Sequence, residues 1–137
     1  MGSFCLFLIG YGNEVPNDFF DRLELAGERV LVIDVRARRH SWAWSYSAPQ
    51  IEIVFKKRGH DYMWLSGLST IKDNGQGLST VECFALQALE VQLRRQSLPV
   101  ALLCAERLST ECHRAAIAEK LRQRLETMGD HLEIRPL

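Results

Sequence analysis

Phe4-Cys5-Leu6-Phe7-Leu8-Ile9-Gly10-Tyr11-Gly12-Asn13 is an unbroken apolar run that stops at a glycine-rich turn. A half-solvated strand would alternate apolar and polar residues, so this run predicts a strand buried on both faces. Pro16 suits the first turn of a helix, where its missing N–H costs nothing. Phe19, Phe20, Leu23 and Ala26 give that helix an inward face, and Gly27 ends it. Strand, turn and helix in this order make one βα unit, and the rest of the chain reads as its repetition.

Val30 to Ile33 predicts a second buried strand, with Asp34-Val35-Arg36 at its carboxyl end. Arg38 to Pro49 lacks apolar periodicity and reads as a loop, Ile51 to Arg58 as a helix and Tyr62 to Leu65 as a third strand. Gly67 to Leu78, rich in Gly, Ser, Asn and Asp, is a surface loop. Ser79-Thr80-Val81-Glu82 then has the form of a capping box, opening a helix whose inward stripe is Phe84, Ala88 and Val91 with Ala85 and Leu89. Pro99 to Leu103 is a fourth strand and Cys104 to Thr110 a loop. Ile117, Leu121, Leu125 and Met128 mark a last helix closed by Gly129, and Leu132 to Ile134 is a final strand. Parallel neighbours need crossover helices, so this alternation predicts an α/β fold: a single domain over residues 1–137, with a mostly parallel sheet of about five strands and helices on both faces.

Composition narrows function by exclusion. With 137 residues, 47% of them hydrophobic, the chain can bury a core without metals or disulfides. Seventeen basic residues balance seventeen acidic ones, so general polyanion binding is not indicated and any recognition of phosphate must be local. The first apolar run is too short for a membrane span and lacks the basic flank of a signal peptide, and Leu6 stands where N-myristoylation wants Ser or Thr. Cys5, Cys83, Cys104 and Cys112 are unevenly spaced, which predicts reduced thiols and a cytoplasmic setting, with Cys5 and Cys83 as buried hydrophobes.

Three segments carry residue types suited to chemistry. The turn Gly10-Tyr11-Gly12-Asn13 brings backbone amides close to an anion, although it is also what a tight βα turn requires. Asp34 and Arg36 lie two apart and point to one side of an extended segment, where they form an ion pair or a functional cluster. Cys104-Ala105-Glu106-Arg107-Leu108-Ser109-Thr110-Glu111-Cys112-His113-Arg114 is the strongest signal, running from a buried strand into the first turn of a helix. There the amides and helix field favour an anion beside Arg114 and lower the thiol pKa of Cys112. Arg114, set at a crevice for its ligand, is expected to contribute little to stability.

Cys104 resembles in placement the nucleophile of Cys-dependent phosphatases and rhodaneses, but the nine residues between it and Arg114 are too many for a phosphate-wrapping loop. A metal site from Cys104, Cys112 and His113 is disfavoured, since adjacent residues diverge on a helix and no CxxC accompanies them. Arg38-Arg39-His40-Ser41-Trp42-Ala43-Trp44-Ser45-Tyr46 interleaves bases with aromatics, as single-strand binders do. The plainer reading has the aromatics covering the sheet edge.

On these residues the chain resembles the bacterial and archaeal family called domain of unknown function 488. The matching pieces are Ile9-Gly10-Tyr11-Gly12-Asn13, Asp34-Val35-Arg36 with Ser41 after it, and Leu102-Leu103-Cys104-Ala105-Glu106 through Cys112-His113-Arg114. Departures are Arg39 where the family usually has proline, and Leu68-Ser69-Thr70 in place of a Leu-Gly-Gly turn. The resemblance implies a shared site and an α/β fold but names no activity and no cofactor.

The resulting expectation is an enzyme acting on an anionic small molecule, phosphorylated or nucleotide-like. Gly10, Tyr11, Gly12, Asn13, Arg36, Ser41 and Arg114 would bind it, and Asp34, Glu106, Cys104, Cys112 and His113 would carry the chemistry. The alternatives are a nucleic-acid-binding or processing module built on the Arg38 to Tyr46 loop, and a thiol-dependent sulfur-transfer or redox-sensing protein.

Overall fold

Five apolar segments become five parallel strands in a computed structural model, which describes residues 2–12, 14–39, 44–71, 77–95, 98–105 and 113–137. The strands are β1 (Ser3–Gly10), β2 (Leu31–Asp34), β3 (Asp61–Trp64), β4 (Val100–Cys104) and β5 (His131–Pro136). The helices are α1 (Pro16–Leu23), α2 (Gln50–Lys57), α3 (Thr80–Arg95) and α4 (His113–Glu126). The sheet order is β3-β2-β4-β1-β5, and every pairing is parallel. Central β4 is the most apolar segment because it is covered on both faces and paired on both sides; none of its residues is more than 1% exposed. Pro136, lacking an N–H, is tolerated because β5 is an edge strand.

The connections from β1 to β2 and from β2 to β3 step one way along the sheet, and those from β3 to β4 and β4 to β5 step the other way. Right-handed crossovers therefore put α1 and α2 on one face and α3 and α4 on the opposite face. The core divides accordingly. Phe7, Ile9, Val32, Ala101 and Leu103 pack with Phe19, Phe20, Leu23, Ile51 and Phe55, while Leu6, Leu8, Ile33 and Leu102 pack with Leu86, Leu89, Leu93, Ile117, Leu121 and Leu125. Alternate residues of β1 serve different cores, as the period of two demands. Each fully buried Leu, Ile or Phe stabilises the fold by roughly 1.5–3 kcal/mol.

Local signals place several boundaries. Gly27 at φ 78° and Gly129 at φ 80° occupy the left-handed region where α1 and its short 3-10 extension, and then α4, give way to the next strand. In the capping box before α3, the Ser79 amide donates to Glu82 Oε1 at 2.9 Å and the Glu82 amide to Ser79 Oγ at 3.1 Å.

Three assignments of burial are corrected. Of the stripe expected to face inward from α3, Ala85 and Leu89 do, but Phe84 is 67% and Val91 40% exposed, and Leu86 and Leu93 complete the face on the sheet. This helix has apolar residues on two faces, and the larger leucine stripe is the one that meets the sheet. Cys83 lies beside the outward stripe and is exposed rather than buried, and Met128 is 49% exposed. The expectation of reduced thiols also changes, since Cys104 is disulfide-bonded while Cys5 and Cys83 are free.

Candidate functional site

The site is built at the carboxyl ends of the strands. Neighbouring β2 and β4 send their connections in opposite directions along the sheet, the switch point at which open α/β sheets place a crevice beyond the strand ends. Asp34, the last residue of β2, is fully buried, and Arg36 is 4% exposed. Their spacing of two puts both on the α1/α2 side, where the guanidinium grips the carboxylate with Nε–Oδ1 at 2.9 Å and Nη2–Oδ2 at 2.7 Å. The Arg36 amide adds a third donor to Oδ1 at 3.1 Å, and the Tyr62 hydroxyl donates to Oδ2 at 2.5 Å.

Other loops close on the same pair. Arg36 Nη1 donates to the Tyr11 hydroxyl at 3.2 Å, from the turn after β1, and to the Tyr46 carbonyl at 2.7 Å, from the 3-10 turn before α2. The Trp64 indole N–H, at the end of β3, donates to the Arg36 carbonyl at 2.8 Å. The Tyr11 and Tyr46 rings stack at 4.1 Å, with Phe19 edge-on to both. Most of the donor capacity of Arg36 is thus engaged within the protein, and Asp34 accepts from three groups. The pair is a brace joining the segments after β1, β2 and β3.

Titration follows from this enclosure. Burial by itself would pull the Arg36 pKa down, but the hydrogen bonds and charge of Asp34, with Tyr11, outweigh it and hold the guanidinium above its ordinary value. Burial first, then the charge and hydrogen bond of Asp34, push the Tyr62 phenol up. Tyr46 is pushed up to about 12 by burial, with the charges of Glu14 and Tyr11 adding to it. These phenols are fixed neutral donors at physiological pH.

In the glycine turn the Gly12 amide is engaged within the protein. Gly12 sits at φ 52°, and its amide donates to the Ala105 carbonyl at 2.6 Å, tying the segment after β1 to the segment after β4. The Gly10 carbonyl accepts from Arg22, which also grips Glu14 at 2.6 Å. On the other face of the sheet, Cys104 is 1% exposed and shares a core with Ala116 and Ile117. Arg114, in the first turn of α4, is 1% exposed and one of the largest fully buried side chains. Its burial corrects the expectation that it contributes little to stability, because truncating it would empty a large volume.

The structure therefore joins Tyr11, Asp34 and Arg36 directly, links Gly12 to the segment after β4, and sets Cys104 and Arg114 at the same end of the sheet. Asn13, Ser41, Glu106 and Cys112 lie outside the described residues, as do the His113 and Trp44 side chains and residues 40–43 of the Arg38 to Tyr46 loop. Sequence reasoning missed Tyr46, Tyr62 and Trp64. The last two were detectable as aromatics two apart at a strand's carboxyl end, a spacing that sends both to one face. Among the described residues no three His, Cys, Asp or Glu are grouped to hold a metal ion, and no helix is long and apolar enough to cross a membrane.

No curated protein and no solved structure matches the chain. Residues 16–121, spanning α1 to the middle of α4 and so including Asp34, Arg36, Trp64, Cys104 and Arg114, match the model of the family described as domain of unknown function DUF488, and the chain belongs to that family.

Proposed function

We propose that the carboxyl end of the sheet is an enzyme site for an anionic small molecule bearing a phosphate or carboxylate. The observation that carries this reading is the buried Asp34–Arg36 pair at the crevice between β2 and β4. Taking two charges out of water is expensive, and apolar residues of similar volume would often stabilise the fold as well or better. A buried ion pair tied to three chain segments at a topological switch point is better explained by the need to hold a site rigid.

In this reading Arg36 and Asp34 position the walls, since their polar atoms are engaged with each other and with Tyr11, Tyr46 and Tyr62. The anion is held by Arg114 and by the first-turn amides of α4, where the positive end of the helix dipole adds to the guanidinium. With Asp34 saturated, proton transfer falls to Glu106 or His113.

The test is calorimetric titration of phosphorylated and carboxylated metabolites into the parent chain and Arg114→Lys. Lysine keeps the charge and much of the volume but loses the planar fork. The expected result is binding weakened on the order of tenfold or more, about 1.5–3 kcal/mol for a charge-assisted hydrogen bond. Undiminished affinity in the variant, or no binding by any anion, sinks the reading. The thiol-dependent alternative keeps one observation, the disulfide at Cys104 beside this crevice. Anion affinity that changes on reduction with dithiothreitol would favour it.

A further inference from the structure

Helix α3 has one apolar side more than the sheet needs. Its inner side is taken by Ala85, Leu86, Leu89 and Leu93, yet Val81 and Phe84 are each 67% exposed and Val91 40%, with half-buried Ala88 between them. The positions 81, 84, 88 and 91 alternate steps of three and four residues, the pattern that keeps an apolar seam on one side of a helix for a partner helix to cover. Neighbouring α4, on the same face of the sheet, carries a solvated surface of the ordinary kind: Arg122 is tied to Glu119 and Glu126 by ion pairs one turn apart. The outer side of α3 is built differently.

Three features select what covers it. Thr80, Gln87 and Gln92, which flank the seam, are uncharged, so neither a basic nor an acidic partner is favoured and two copies of the stripe meet without repulsion. The stripe is also complementary to itself when reversed. Laid antiparallel about a two-fold axis, Val81 comes opposite Val91 of the second copy and the large Phe84 opposite the small Ala88, each contact occurring twice. Charge fixes that direction. Arg95, exposed in the last turn, continues the seam four residues beyond Val91. A parallel pair would set two such guanidinium groups and two like helix ends face to face, whereas the antiparallel pair holds them at opposite ends of a helix roughly 24 Å long.

We propose that the outer side of α3 is the interface of a two-fold symmetric homodimer, in which Val81, Phe84, Ala88 and Val91 pack antiparallel against the same residues of a second copy. The seam from Val81 to Val91 is roughly 15 Å long. That is short of the roughly 800 Å² per partner of a standard interface, so the dimer is reversible and dissociates on dilution. Nothing in it depends on the anion site.

The test is sedimentation equilibrium of the full chain from about 1 μM to about 1 mM, where the mass should climb from that of one chain toward twice that value. Phe84→Glu and Val91→Glu should each weaken self-association by about tenfold or more, because each buries an unpaired carboxylate in the pair. Ala88→Lys should weaken it as well, and Gln123→Glu, on the exposed side of α4, should leave it unchanged. Mixing Phe84→Glu with Ala88→Lys should restore association: in the antiparallel register the introduced carboxylate faces the introduced ammonium at one contact, and Phe84 still faces Ala88 at the other. Should Phe84→Glu fail to fold, Phe84→Ala and Val91→Glu carry the test, since alanine and glutamate are strong helix formers at exposed positions. A parent chain that keeps the mass of one chain throughout overturns the dimer and leaves the stripe to a helix of a different protein. Association that Phe84→Glu and Val91→Glu leave intact lies elsewhere on the surface and overturns it too. Masses rising past two chains overturn the closed two-fold pair, and mixed variants that stay apart overturn the antiparallel register.

Discussion

The two ends of the sheet are both rich in charge, and they use it in opposite ways. At the amino end, Arg29 meets Asp61 at 3.4 Å with both side chains more than half exposed, and Arg58 meets Asp21 at 3.0 Å with the aspartate 70% exposed. His60 is buried there; its Nδ1 accepts from the Val30 amide and its Nε2 faces Glu24. At the carboxyl end, Asp34 and Arg36 have almost no contact with water, and their partners come from three separate segments of chain. Surface pairs of the first kind are nearly neutral to stability, whereas a buried pair punishes the loss of either member. The difference shows which end can be remodelled and which is held in one geometry.

The comparison is broken most directly at Arg36. Arg36→Met should cost about 3–5 kcal/mol in urea unfolding, because it leaves the Asp34 carboxylate buried without its cation. Adding Asp34→Asn should recover a good part of that loss. If the single variant unfolds like the parent, the pair is no brace.

A smaller effect is expected at Tyr46. Its hydroxyl donates to the Glu14 carbonyl, so Tyr46→Phe should cost about 0.5–1.5 kcal/mol while keeping the stack on Tyr11. Tyr46 is pushed up to about 12 in the folded protein, against about 10 in an unfolded chain. The folded state therefore holds its proton longer, and the associated stability is fully present below pH 10 and lost as pH rises toward 12. Denaturant midpoints followed from pH 8 upward should stay level and then fall in that window, with a shallower fall in the phenylalanine variant. The fall should not vanish, because Tyr62 is shifted in the same direction. The smallest effect is at the amino end, where Arg29→Ala should change stability by less than about 1 kcal/mol. A loss approaching that of Arg36→Met would remove the contrast between the two ends.

Much of the fold was legible because its signals are local. The apolar run from Phe4 to Ile9 needs cover on both faces wherever it is placed, and Pro16, Gly27, the Ser79–Glu82 box and Gly129 mark boundaries through contacts within a turn or two. The inward face of α3 was not legible. Leu86, Leu89 and Leu93 compete with Val81, Phe84, Ala88 and Val91 at equally good helical spacing, and only the sheet decides between them. Asp34 and Arg36 stood out as a pair, but Tyr62 and Trp64, about thirty residues away, became part of the site only through the β2–β3 register.

By itself the sequence determined which segments are strands and helices, that the sheet is buried on both faces, and that glycines gather after β1, charged residues after β2, and charged and sulfur-bearing residues after β4. Tertiary structure decided what those residues do. It engages the Gly12 amide with Ala105, turns Arg36 from a free cation into the centre of a brace, buries Arg114, and leaves Trp64 and Arg39 stacked at the open edge. The physical reason is range. Caps and periodicity act over a few residues of one chain segment, whereas the partners of a buried charge are chosen by which strands lie side by side, and that order is settled only when the whole sheet closes on its two cores.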